Sequence, residues 1–169
     1  MIRKLRRNIT CWQDIRLLYR IFALITILPV LIKWHTLPGL LDRLTPANEK
    51  GSATPGTNWT EKKIITYTDF ILGWGFGVWK QTCLKRSLVL FHFLRKIGMP
   101  IQICFGIRLP SVDEKNDQGH LEGHAWLRYR EDIFLEVDPE MTVSFTETYR
   151  YPKPQESTRY AWQFGPVTQ

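Results

Sequence analysis

The segment QTCLKRSLVLFHFL, residues 81–94, contains a cysteine at the point where an amphipathic helix is predicted to begin. Leu84, Leu88 and Phe91 recur with the spacing of one helical face. Cys83 therefore lies at the amino end, where unpaired backbone N–H groups and the helix dipole stabilise an anion. That position favours a reactive thiolate. The alternative is a packing role, because free cysteines are often buried.

A histidine and a carboxylate further along the chain are the partners that a nucleophilic cysteine needs. His124 in GHAW follows Cys83 by 41 residues, and Asp138 in EVDP follows His124 by 14. Two strand-like runs joined at residues 130–132 would bring the last two to one edge of a sheet. The carboxylate would then orient the imidazole, and the other ring nitrogen would face the thiol.

Two further groups belong to the same hypothesis. Glu136 and Asp132 are alternative candidates for the orienting carboxylate, and Glu136 is expected to share the strand face of Asp138. The backbone N–H of Cys83 would form one half of an oxyanion hole. Gln81 is the candidate for its second donor.

Helices are predicted first and strands after them, and together they must position these residues. A helix is predicted from Thr60 to about residue 72, and the cysteine-bearing helix follows it. IQICFGI, residues 101–107, is typical of a strand, and the hairpin containing His124 comes next. This order predicts an α+β fold in which the cysteine opens a helix packed on a small antiparallel sheet. Cys104, inside the first strand, is assigned to packing.

Length and composition indicate one globular domain of ordinary size. The chain has 169 residues, of which 44% are hydrophobic, and seven are tryptophans. Its three cysteines include no CxxC pair, which argues against a disulfide framework or a cysteine-rich zinc site. His120 and His124 are four residues apart but form no HExxH helix, so no metal is expected. This cysteine usage suits a reducing compartment, and a cytoplasmic location is expected.

The net charge of +7 is concentrated at the amino end. Residues 1–43 contain eight basic and two acidic residues. A nucleic-acid interface would need aromatic and basic residues interleaved along a strand, and only WLRYR, residues 126–130, hints at this. An α+β enzyme accounts for more of the sequence, and no nucleic-acid partner is expected.

Residues 1–58 are predicted to form a basic, apolar helical segment and a linker, ahead of a domain at 59–169. The apolar run at 21–32 is shorter than the roughly 20 residues of a membrane span. Two interpretations remain: a helix docked on the domain, or a helix in peripheral contact with an anionic membrane through residues 1–34. Pro29 is expected to kink or end this helix.

Three separated segments resemble a known family. TCLKRSLVLFHFLRKIGMPIQICFGI, GHAWLRY and FLEVDPE, within about residues 60–140, are similar to the core of the transglutaminase-like, papain-related cysteine enzymes. The closer resemblance is to the subgroup that removes leader peptides in lasso-peptide biosynthesis. It implies a papain/transglutaminase-like core with N-terminal helices before it. By motif, Cys83 corresponds to the nucleophile, His124 to the general base and Asp138 to the orienting acid.

The resemblance implies a cysteine protease, without a cofactor, that removes the leader from a lasso-type precursor peptide. The implied partners are that peptide, an ATP-dependent macrocyclase and a leader-recognition protein. The last is expected as a separate chain, because residues 1–58 are too short and too apolar to form it. Two alternatives remain: transglutaminase- or deamidase-like acyl transfer on the same triad, and an inactive peptide-binding protein of the same fold.

Overall fold

The computed structural model describes residues 12–46, 59–75, 80, 82–108, 121–136 and 138–153. These residues form five helices and four strands. In chain order they are α1 (Trp12–Trp34), α2 (Leu37–Leu44), α3 (Glu61–Leu72), α4 (Cys83–Lys96), β1 (Ile101–Arg108), β2 (Glu122–Tyr129), β3 (Asp132–Phe134), α5 (Pro139–Val143) and β4 (Thr146–Tyr151). The predicted α+β fold, with helices ahead of the cysteine-bearing helix and a small antiparallel sheet, is confirmed.

The four strands form one antiparallel sheet in the order β3-β2-β1-β4. The β2–β3 hairpin turns at Arg130 and Glu131, whose φ angles of 51° and 71° fit the two-residue turn that matches strand twist. Because β3 is short, it pairs only with residues 127–129 of β2. The first half of β2 therefore has an edge that β3 does not cover.

The helices enclose the main core on one face of the sheet. Leu88, Phe91 and Leu94 of α4 pack there with Ile103 of β1 and Leu127 of β2, and all five are buried. Cys104 and Trp126 pair across β1 and β2 and belong to a second, smaller cluster with Phe145. Because side chains alternate along a strand, the sheet separates the two clusters.

Helix α1 docks on the main core through one face. Its side chains at intervals of three or four residues are fully buried, namely Leu17, Ile21, Ile25 and Leu28. Burial of each stabilises the fold by roughly 1.5–3 kcal/mol. Pro29 lies inside α1 and does not end it, since the helix runs on to Trp34. Packing of Leu31 and Ile32 against the core compensates for the hydrogen bond that a proline cannot donate.

The domain boundary at residue 58 stays a prediction, and most of the linker expected at residues 45–59 lies outside the described residues. Helix α2 and strand β4 are elements that the sequence analysis did not assign.

Candidate active site

Cys83 is the first residue of α4 and is half-buried. Thr82 caps the helix, and its hydroxyl accepts a hydrogen bond of 3.3 Å from the Lys85 backbone N–H. The first turn contains no acidic residue, and Lys85 and Arg86 follow the cysteine. Cys83 therefore lies at the helix end where backbone N–H groups without a partner in the helix favour a negative charge.

Two side chains of α4 fix its first turns at the uncovered edge of β2. The buried Ser87, one turn after Cys83 and on the same helical face, donates a hydrogen bond of 2.9 Å to the Ala125 carbonyl. Ala125 adjoins His124 in β2. Arg86 donates to the Leu135 carbonyl at 2.7 Å, so the chain just after β3 is held to the same helix.

His124 lies almost buried at that edge, with about 10% of its side chain exposed. Its Nε2 is 3.4 Å from Glu136 Oε2 and 3.5 Å from Thr142 Oγ1. The ring stacks on Trp126 with centroids 5.8 Å apart and contacts Phe145 at 5.0 Å. The carboxylate and the hydroxyl therefore both contact Nε2 of the imidazole rather than Nδ1.

The carboxylate in contact with the imidazole is that of Glu136. Asp138 is exposed and caps α5, where its carboxylate accepts a hydrogen bond of 2.9 Å from the Met141 backbone N–H. Leu135, with φ of 60°, turns the chain between β3 and Glu136. Asp132 pairs with Tyr129 at the end of the hairpin. The catalytic role of Asp138 stays a prediction, and the geometry favours Glu136, the alternative.

Cys83 is linked to the His124 strand through Ser87, whose hydroxyl donates to the Ala125 carbonyl, while the His124 ring packs with Trp126 and Phe145. That Cys83 and His124 form a catalytic pair stays a prediction, and in the described part of the chain no hydrogen bond joins them. Such bonds between nucleophile and base are often long without substrate and tighten in the complex. Gln81, the oxyanion-hole candidate, lies outside the described residues. The backbone N–H of Cys83 is one of the first four of α4 and has no partner within the helix.

Cys104 differs from Cys83 in its burial. Its side chain is fully buried beneath Trp126 in the second cluster. Burial raises the pKa of the Cys104 thiol to about 12, and the neighbouring Glu147 carboxylate adds to the shift. The thiol stays protonated near neutral pH, as a packing residue would.

The sequence analysis missed three side chains that contact the site residues or their strand. Ser87 could have been suspected, because it follows Cys83 by four residues and so shares its helical face. Thr142 and Phe145 reach His124 from a Thr- and Tyr-rich segment with no clear periodicity. Within the described ranges, no group of three or more His, Cys, Asp or Glu side chains is arranged to hold a metal ion.

A glycine in β1 makes room for the aromatic ring beneath the imidazole. A Cβ at Gly106 would lie 2.8 Å from the Thr146 carbonyl oxygen and 2.8 Å from the ring of Trp126. We expect Gly106→Ala to lower the free energy of unfolding by about 1–3 kcal/mol and to displace the ring that supports His124. Thermal or urea denaturation measures the loss.

Gly123→Ala is the matched control, because a Cβ at Gly123 meets nothing within 4 Å. It should unfold like the parent chain or slightly later. Equal destabilisation by both substitutions would contradict the close approach at Gly106.

A family model described as the transglutaminase-like superfamily matches residues 24–150, about three quarters of the chain. The match includes all the side chains described at this site. No curated protein and no solved structure matches the chain.

Proposed function

Because the chain belongs to the transglutaminase-like superfamily, whose members are generally cysteine peptidases or acyltransferases, we propose that it is a cysteine protease. The observation that carries this proposal is the arrangement at the open edge of β2. There Ser87, one turn after the helix-opening Cys83, is bonded to the Ala125 carbonyl, and the adjacent His124 is in contact with Glu136 at 3.4 Å.

In the proposed reaction the Cys83 thiolate attacks a peptide carbonyl carbon, and the carbonyl oxygen becomes an oxyanion near the amino end of α4. His124 takes the proton of the Cys83 thiol and gives it to the amine as the C–N bond breaks, which leaves a thioester on Cys83. Water, deprotonated by His124, then attacks the thioester and releases the acid and the thiol. Glu136 holds the imidazole in one orientation and stabilises its protonated form.

We further propose that the peptide is the leader of a lasso-type precursor. Support comes from the motifs around Cys83 and His124, which resemble the leader peptidases of that pathway. The partners would be a separate leader-recognition protein and an ATP-dependent macrocyclase, and the reduced cysteines suit the cytoplasm. Asp138 remains the residue that the resemblance implies as orienting acid, although the contact at His124 supports Glu136.

The test uses the purified chain, a precursor peptide and its leader-recognition protein in water enriched in heavy oxygen. Proteolysis is expected to release the leader with one heavy oxygen in its new carboxyl group, detected by mass spectrometry. Adding glycine methyl ester separates the alternatives: an acyltransferase would join the amine to the leader instead. A peptide left intact, with Cys83 alkylated by iodoacetamide no faster than Cys104, would indicate an inactive binding protein.

A further inference from the structure

Helix α1 has a second apolar face, opposite the one that packs on the core. The large apolar side chains on this outward face are each at least half exposed, and those of Trp12 and Trp34 reach 77% and 78%. They recur at helical spacing along the whole helix, at Trp12, Tyr19, Ile27, Val30 and Trp34. Exposed apolar surfaces of this extent are typical of sites that bind a protein, a membrane or a ligand.

The outward face continues sideways into an apolar groove between α1 and α3. The groove has a volume of about 250 Å³ and is lined by Leu18 and Phe22 of α1 and by Phe70 and Ile71 of α3. Tyr19 lines it too, so groove and outward face form one continuous surface. The groove offers apolar side chains and almost no polar atoms, which suits a hydrocarbon chain.

The charge of this surface is basic. The one carboxylate of α1, that of Asp14, is buried and bonded to Lys63 Nζ at 2.7 Å. Arg16 and Lys33 are exposed on the outward side. The preceding residues 1–11 contain four basic residues and no acidic one. The surface therefore complements a partner that is both apolar and negatively charged.

Length and composition alone would allow α1 to cross a bilayer, with a mean hydropathy of 2.1 over its most apolar window. Its packing argues against crossing. The inward face, including Leu17, Ile21 and the Asp14–Lys63 ion pair, is buried in the domain, so spanning would require undocking. A helix with one face docked and the other apolar is suited to lie in the plane of an interface.

We propose that the outward face of α1 binds an anionic lipid membrane, with the helix parallel to the bilayer surface. Lipids match both features of the face: acyl chains suit the exposed apolar side chains and the groove, and anionic headgroups suit Arg16 and Lys33. Trp12 and Trp34 lie at the two ends, and tryptophan prefers the membrane–water boundary. A second copy of the chain would instead bring like charges together.

The test is cosedimentation of the full chain with vesicles of phosphatidylcholine, with and without phosphatidylserine. Binding is expected to be at least about tenfold stronger with phosphatidylserine and to weaken with salt. Tyr19→Ser/Val30→Ser should lower the partition coefficient by about tenfold or more, because exposed apolar area is lost. Arg16→Gln/Lys33→Gln should lower it by about 25-fold.

The matched control is Leu121→Ser/Val143→Ser, which removes two exposed apolar side chains far from α1 in sequence. It should bind vesicles like the parent chain, and all variants should melt like it. Absent binding, equal binding to both vesicle types, or an equal loss in the control would overturn the proposal. So would a dimer in sedimentation equilibrium that Tyr19→Ser/Val30→Ser dissociates, which would assign the face to a second copy. None of these outcomes depends on the proposed protease activity.

Discussion

Cys83→Ala is expected to reduce leader cleavage by at least about 1000-fold in kcat, while the precursor peptide still binds. Without the sulfur no thioester forms, and the remaining groups can only position the peptide and polarise its carbonyl. The substitution removes one half-buried sulfur atom from the first turn of α4, so the fold should tolerate it. Mass spectrometry measures cleavage, and fluorescence anisotropy of a labelled precursor measures binding.

Cys104→Ala is the matched control for this result. The Cys104 thiol is fully buried and stays protonated near neutral pH, because burial raises its pKa to about 12. The variant should therefore keep its rate of cleavage, with some loss of stability. Iodoacetamide should likewise label Cys83 and spare Cys104 in the native protein. Cleavage that survives Cys83→Ala would rule out the proposed nucleophile.

Glu136→Gln is the second substitution with a large expected effect, a fall of about 100- to 1000-fold in kcat with little change in KM. The amide keeps the shape of the side chain but cannot stabilise a protonated imidazole, and it can hold the ring in the wrong tautomer. The reason is the 3.4 Å contact between Glu136 Oε2 and His124 Nε2. Steady-state cleavage assays over a range of pH would measure the fall in kcat.

Asp138→Asn is the matched comparison, since it removes the same charge two residues later. Asparagine also caps helices well, so the hydrogen bond to the Met141 N–H is expected to survive and kcat to fall less than about tenfold. A reversed result, with the large loss at Asp138, would make Asp138 the orienting acid, as the family motif implies.

The helix that presents Cys83 and the hairpin that contains His124 were predictable from local signals. Periodic apolar residues predicted α4, which begins at Cys83, and the strand predicted at residues 101–107 is β1, Ile101–Arg108. These elements form through patterns that repeat within a few residues.

The choice between Glu136 and Asp138 was beyond such patterns. Strand alternation predicted that both side chains share one face, but β3 ends at Phe134. Leu135 then adopts a left-handed backbone conformation, and Asp138 begins a helix. Alternation applies only while the chain remains a strand. Which carboxylate meets His124 thus depends on the start of α5 at Asp138 and on contacts with α4, which is distant in sequence.

Strand β4 was missed for a related reason. Its segment, TETYRY, mixes exposed and half-buried positions, and its partner β1 lies some forty residues earlier. The pairing also shifts register between Phe105 and Gly106. The irregularity lies beside Gly106, where the Trp126 ring and the Thr146 carbonyl approach the backbone closely, and no single segment encodes that approach.

Arg86 bears on any attempt to transplant this chemistry to another scaffold. Its guanidinium donates to Asp69 of α3 at 2.8 Å and to the Leu135 carbonyl at 2.7 Å. One side chain thereby sets the spacing between the helix that opens with Cys83 and the segment that presents Glu136. Grafting only cysteine, histidine and glutamate would leave that spacing undefined. A site transferred to another scaffold would therefore have to include Asp69 and Arg86, although neither needs to contact a substrate.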